Sequence, residues 1–244
     1  MKEVKNNVNV FNKDVELNQG YKYTTNAPFS AVVANKRLTK ATLDNLPSNV
    51  KTLIDIGCGD GTYTNELKLI RKDLTFAGTD PAEKAIDHAK QNYPDIDFFI
   101  SNILVTKSFV NKHFDIAVMR GVLHHLSDQE KAIRNTLLLA DNMLIIEPNG
   151  NNPILKYIEK HSLYHIEHEE QSFTTQKLIN WCKDAGWQVS FIKYVGYVPY
   201  FFPTFLSKTI YLFQPFLEKI PLFRFFFSAQ IIILCKKRHG KHKR

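Results

Sequence analysis

From Leu53 to Gly61 the chain reads Leu-Ile-Asp-Ile-Gly-Cys-Gly-Asp-Gly, an apolar run that ends in an acid and then in alternate glycines, Gly57, Gly59 and Gly61. Glycines at this spacing let the backbone turn with positive φ and remove the Cβ atoms that would hold a ligand away. The helix-compatible segment from Tyr63 to Lys72 points its unpaired N–H groups at whatever lies over the loop. These residues read as a cradle for a nucleotide-type cofactor. A dinucleotide loop has the form Gly-x-Gly-x-x-Gly. This loop is one residue shorter and carries Asp55 just before the turn. A carboxylate sits badly beside a pyrophosphate and well beside a cationic amino-acid moiety. Spacing and acid together point to a sulfonium–amino-acid cofactor and away from NAD.

Side chains suited to acid–base work fall further along. They are His124, His125, Glu147, His161, His165 and His168. His124 and His125 follow a predicted strand, at the edge where open α/β sheets bind ligands. The competing reading for the pair is a ring that packs on a ligand or holds a loop. His161 and His165 share one helical face, as do His165 and Glu169. A metal could use such a cluster, but the acidic and basic composition of 161–170 reads first as a solvated linker, and no metal is expected. Cys58 reads as a small buried residue of the loop.

The elements that must position these groups alternate. Strands are predicted at 51–56, 74–79, 96–101, 114–119 and 142–147, and helices at 62–72, 82–92, 127–140, 152–164 and 174–185. Strand–helix alternation at this spacing implies βαβ units and a parallel sheet. Leu53–Ile56, Ile116–Met119 and Met143–Ile146 are apolar at successive positions, as central parallel strands are. Ser127-Asp128-Gln129-Glu130 reads as a capping box. Residues 1–28 read as a polar arm, and Phe29 to Leu46 as a helix that Pro47 ends. Gln188–Tyr197 and Ala229–Lys236 read as two more strands, a hairpin interrupted by a long insertion.

With these landmarks in order, the chain resembles the class I S-adenosylmethionine-dependent methyltransferases. Asp55 to Gly61 is similar to their glycine motif, and Phe76 to Asp80 to their second strand with its ribose-binding acid. Asp97 to Ile103 resembles the third strand, whose final polar residue reads adenine, here Asn102 where the family often has Asp. The carboxamide oxygen can still accept a bond from an adenine amino group. Phe114 to Leu126 resembles the fourth strand and the substrate-facing loop. Before the fifth strand the family often has Pro-Gly-Gly; here the turn is Leu139-Ala140-Asp141-Asn142. The resemblance implies a doubly wound, mostly parallel seven-stranded sheet with helices on both faces and the last strand antiparallel, and the chain adds an N-terminal helical arm and a helical insertion before the last strand. It implies S-adenosylmethionine as cofactor, held by Tyr21, Asp55, Gly57, Cys58, Gly59, Gly61, Asp80, Pro81, Asn102, Ile103 and Arg120. Catalysis falls to His124, His125, Glu147 or His165.

The acceptor is read from the rest of the chain. The Asn-Pro-Pro-aromatic tetrad of nucleic-acid amino methyltransferases is absent, and Glu147-Pro148-Asn149-Gly150 stands there instead, so nucleic acid is not expected despite a net charge of +8. The insertion, 199–227, is rich in Phe and places Leu206, Ile210, Phe213, Leu217 and Ile220 at helical spacing. Pro203, Pro215 and Pro221 divide it into pieces too short to span a membrane. It reads as a cap over an apolar pocket or as a surface resting on lipid. Either favours a small hydrophobic or lipid-linked acceptor, and O-methylation. The alternative is a membrane-associated binding protein that keeps the fold without catalysis. Three widely spaced cysteines and a polar start to the chain fit a cytoplasmic setting, with peripheral contact to the inner membrane face through 199–227. The expected organisation is 1–48 as arm and closing helix, 49–198 with 228–238 as the core, 199–227 as the insertion and 239–244 as a basic tail.

Overall fold

The computed structural model describes residues 2–18, 20–21, 24, 27–105, 112–162, 171–198, 203–217 and 219–238. First come α1 (Lys2–Asn18) and α2 (Phe29–Leu43). Then follow β1 (Thr52–Ile56), α3 (Thr62–Ile70), β2 (Thr75–Asp80), α4 (Glu83–Asn92), β3 (Asp97–Ile100) and β4 (Phe114–Arg120). A 3₁₀ turn (Leu123–His125) leads to α5 (Gln129–Thr136), β5 (Ala140–Pro148), α6 (Pro153–His161), α7 (Thr175–Asp184) and β6 (Trp187–Val195). Last come α8 (Thr204–Leu217), α9 (Pro221–Phe227) and β7 (Gln230–Lys237).

The strands form one sheet in the order β3-β2-β1-β4-β5-β7-β6. β1 to β5 pair in parallel, and β7 runs antiparallel to both β5 and β6. This is the expected sheet. Its central strands carry runs that are apolar at successive positions, Ile116–Met119 and Met143–Ile146, because both faces are covered. Ile54, Met119, Met143 and Ile145 pack on one side with Trp181 and Trp187. Leu53, Ile116, Val118 and Leu144 pack on the other with Leu67 and Ile86. Trp187 is fully buried, and its indole N–H is satisfied by the Ile133 carbonyl at 3.0 Å.

The chain leaves β1 toward β2 and β3 but leaves β4 toward β5. The crevice between the C-terminal ends of β1 and β4 is therefore the topological switch point, where open α/β sheets bind ligands. The glycine loop and the His124-His125 turn both emerge there.

The N-terminal arm is helical, as expected, because Val8, Phe11 and Val15 form a stripe that packs with Tyr21, Ala82 and Ala85. Three local expectations need correction. The cap of α5 is Asp128, whose Oδ1 accepts from Lys131 N at 2.9 Å, so Ser127 lies outside the helix. That helix also stops at Thr136, since the Leu139 carbonyl accepts Phe114 N at 2.7 Å and draws the chain into the sheet. Pro215 lies inside α8 rather than breaking it, and the helix ends two residues later at Leu217.

Candidate active site

The glycine loop is tied down first. Gly57 N and Cys58 N both donate to the Thr79 carbonyl, at 2.7 and 3.1 Å, which fixes the turn against β2. Gly57 and Gly59 have φ of 75° and 55°. A Cβ on Gly57 would lie 2.5 Å from Val122 Cγ2, and one on Gly59 would overlap the Tyr21 ring. Only glycine meets both the conformation and the close approach.

Three carboxylates surround this loop. Asp80, at the end of β2, accepts from Gly59 N at 3.0 Å and from Ala82 N at 2.8 Å. Asp55, buried in β1, accepts from Thr64 Oγ1 at 2.6 Å. Asp60 accepts from Tyr21 N at 2.9 Å, Thr24 Oγ1 at 2.6 Å and Thr62 N at 3.1 Å. Burial pushes the Asp55 carboxyl up to about 6, against the pull of Thr64 and Arg120. Burial likewise pushes Asp80 up to about 6, with Asp60 adding repulsion and the Ala82 and Gly59 N–H groups opposing it. The Cys58 thiol is raised well above its ordinary range by burial and by these acids, so it stays protonated. Arg120 stacks over the Tyr63 ring at 3.9 Å and donates to Asn35 Oδ1.

Across the crevice stands the second group. His124 is buried, and its Nδ1 lies 2.7 Å from Glu147 Oε2. Glu147 is fully buried, and its Oε1 accepts from Val122 N and Leu123 N, both at 2.8 Å. One carboxyl thus holds both the 3₁₀ turn and the imidazole that the turn carries. His125 packs on His124 at 3.9 Å between ring centroids and meets the Phe11 ring edge-on at 5.2 Å.

These residues face one cavity of about 1590 Å³. Its lining includes Tyr21, Asp55, Gly57, Cys58, Gly59, Asp80, Pro81, Asn102, Arg120, His124 and His125, with α1, α2 and α6 forming the remaining walls. Asn102 Oδ1 accepts from Leu104 N at 2.9 Å in a local turn. Ile103 is not in the lining; it is buried in the core, and its carbonyl accepts from Asn135 at 2.7 Å. Gly61 opens α3, and Glu147 sits behind His124 rather than in the wall. His161 lies at the end of α6, stacked on Tyr157 and outside the lining. His165, His168 and Glu169 lie outside the described residues. Among the described residues no group of three or more His, Cys, Asp or Glu is placed to hold a metal.

Three contributors escaped the sequence reading: Asp60, Thr64 and Phe11. Asp60 carried a signal, an acid inside the glycine loop at the start of a helix. Thr64 and Phe11 carried none, since their roles arise from what folds over them.

A family model described as a methyltransferase domain matches residues 32–190, more than half of the chain. The protein belongs to the class I S-adenosylmethionine-dependent methyltransferase family. Protein 235L of Invertebrate iridescent virus 6, which carries a methyltransferase name, is 30% identical over 128 residues. That match takes in 48% of this chain and 46% of the viral protein, so the chain spans under half of that relative. A SAM-dependent methyltransferase from Thermotoga maritima superposes with a TM-score of 0.61 at 15% identity, covering 85% of this chain and 90% of its own. Magnesium protoporphyrin IX methyltransferase from Synechocystis PCC 6803, solved with bound SAH, gives 0.57 at 15% identity and covers 85% of each chain. These two likenesses carry the fold. The methyltransferase cofactor fits the residues present here, because the cavity beside the glycine loop is lined by the carboxylates of Asp55 and Asp80 together with Asn102 and Arg120.

Proposed function

We propose that the protein transfers a methyl group from S-adenosylmethionine to a small, hydrophobic or lipid-linked acceptor, with a hydroxyl oxygen as the atom methylated. The observation that carries this reading is the meeting of two devices in one cavity: a glycine cradle with buried carboxylates, and a histidine held by Glu147. When bound, the donor supplies a methyl group already activated on sulfur. Asp80 and Asn102 hold the ribose and adenine in this reading, and Asp55 and Arg120 face the amino-acid end. The donor chemistry needs alignment above all, which is worth roughly 7–11 kcal/mol when the geometry is right. α1 and Tyr21 exclude water by lying over the loop. The Nδ1–H of His124 donates to Glu147, so Nε2 is the atom that takes the acceptor's hydroxyl proton. Glu147 keeps that tautomer and offsets the charge the ring gains. Val8, Phe11, Val32, Leu104, Leu155 and Ile158 give the remaining wall its apolar character, which suits a hydrophobic acceptor.

Isothermal titration with S-adenosylmethionine tests the first half. Asp80→Ala should weaken binding by about ten-fold or more, the cost of losing a charged hydrogen-bond acceptor. No binding heat with the intact protein would sink the reading. For the second half, radiolabelled donor and lipid extracts provide an acceptor screen, in which His124→Ala should lower turnover by about a hundred-fold while donor affinity is kept. Donor binding with no acceptor methylated would favour the non-catalytic binding protein.

A further inference from the structure

We infer that the outer face of α8 and α9 docks on an anionic lipid bilayer. α8 is turned inside out. Its buried residues are Ser207 and Gln214, two turns apart on one face. Ile210 and Leu217 are half-buried on that face, while the larger apolar side chains point away, with Phe205 79%, Leu212 74% and Phe216 65% exposed. α9 buries no residue, and Leu222 is 72% exposed. A cap packed on a core would show the opposite polarity. An apolar face of this extent on a surface marks an interaction site.

Charge identifies the occupant. The insertion, 199–227, holds Lys208, Lys219 and Arg224 against the one acid Glu218, a net charge of +2. Lys208, Lys219 and Arg224 are exposed on or between the two helices that expose the apolar groups. Cations beside an outward apolar face suit acyl chains beneath anionic headgroups. No described helix is long and apolar enough to cross a membrane, so these helices lie in the interface plane.

The face is anchored beside the cavity. Asn149 Nδ2 donates to the Phe225 and Ser228 carbonyls at 2.9 and 3.1 Å, and Asn152 Nδ2 donates to the Ser228 carbonyl at 3.0 Å. α8 packs on α2 and α9 on α6, and both α2 and α6 wall the cavity. If the methyltransferase reading holds, on which this last step rests, a lipid-linked acceptor reaches the cavity from the bilayer past these two helices.

The test is co-sedimentation of the intact protein with phosphatidylcholine vesicles, alone or mixed with phosphatidylglycerol. The wild type should pellet with the mixed vesicles, and high salt should weaken the partition. Two variants, Phe205→Ser/Leu212→Ser/Phe216→Ser and Lys208→Glu/Lys219→Glu/Arg224→Glu, should each lower the partition coefficient by at least about ten-fold. Their melting curves and donor binding should match the wild type, since the altered side chains are exposed. Partition unchanged in both variants overturns the inference, as does failure of the wild type to bind anionic vesicles. So does a dimer in sedimentation velocity that the apolar variant dissociates, which would make the face a contact between copies. Failure of donor binding with vesicle binding intact would count against the enzyme reading alone.

Discussion

Asp55 and Asp80 hold their protons to about pH 6 in the folded protein, whereas ordinary aspartates release theirs near 4. Across that interval the native state binds more protons than the unfolded chain, so their contribution to stability falls as pH rises through it. Asp55→Asn removes one of the two groups. Between pH 7.5 and pH 5 the stability of the wild type relative to this variant should improve by roughly 1 kcal/mol, read from urea denaturation at both values. A cationic ligand over the loop favours the ionised carboxylates. Donor binding at pH 6 should therefore release protons, seen as a binding heat that depends on the ionisation enthalpy of the buffer. At pH 8 that dependence should vanish. Glu147→Gln keeps the shape but replaces a charged acceptor of two backbone N–H groups and one ring N–H. It should cost about 2 kcal/mol of stability. In turnover it should lower the rate by about a hundred-fold and move the pH profile, because the imidazole loses its orienting charge. At this scale the sequence was legible where a residue type is demanded by backbone geometry, as at Gly57 and Gly59. Asp60 and Glu147 each saturate donors from distant segments, and no local pattern announces that.

At the scale of elements, α1 shows how a polar helix is held. Six of its seventeen residues are apolar, and the helix is stabilised by what Val8, Phe11 and Val15 cover rather than by its own composition. Its successor, Tyr21, is tied by its backbone N–H to Asp60. Asp60→Ala removes the acceptor for Tyr21 N and Thr24 Oγ1, two bonds to a charge worth about 2 kcal/mol or more together. Limited proteolysis between residues 18 and 28 should then speed up, and donor affinity should fall. Unchanged cleavage and affinity would show that the helix holds itself. The strands were legible because burial on both faces leaves one solution for an apolar run. The caps were less so: Ser127 and Asp128 are both capable, and the geometry of one hydrogen bond decides between them.

For the whole molecule, periodicity predicted helices in the insertion but not their orientation. Leu206, Ile210, Phe213 and Leu217 make the same stripe whether it faces inward or outward. The burial of Ser207 and Gln214 decides the matter, and it follows from the packing of α8 on α2. Lys208, Lys219 and Arg224 were legible as cations among apolar residues, and their exposure beside the outward apolar side chains is a tertiary fact.

The join of the insertion to the sheet has one more consequence. Ala229 N donates to the Gly196 carbonyl at 2.6 Å, just past the pairing of Val195 with Gln230, so the two ends of the excursion already touch. β6 and β7 need no more than a tight reverse turn to remain neighbours. The segment is thus an exchangeable cassette on a self-sufficient chassis. If the proposed lipid docking holds, a different loop grafted between Gly196 and Ser228 changes the lipid partition while the glycine cradle and the His124–Glu147 pair stay as they are.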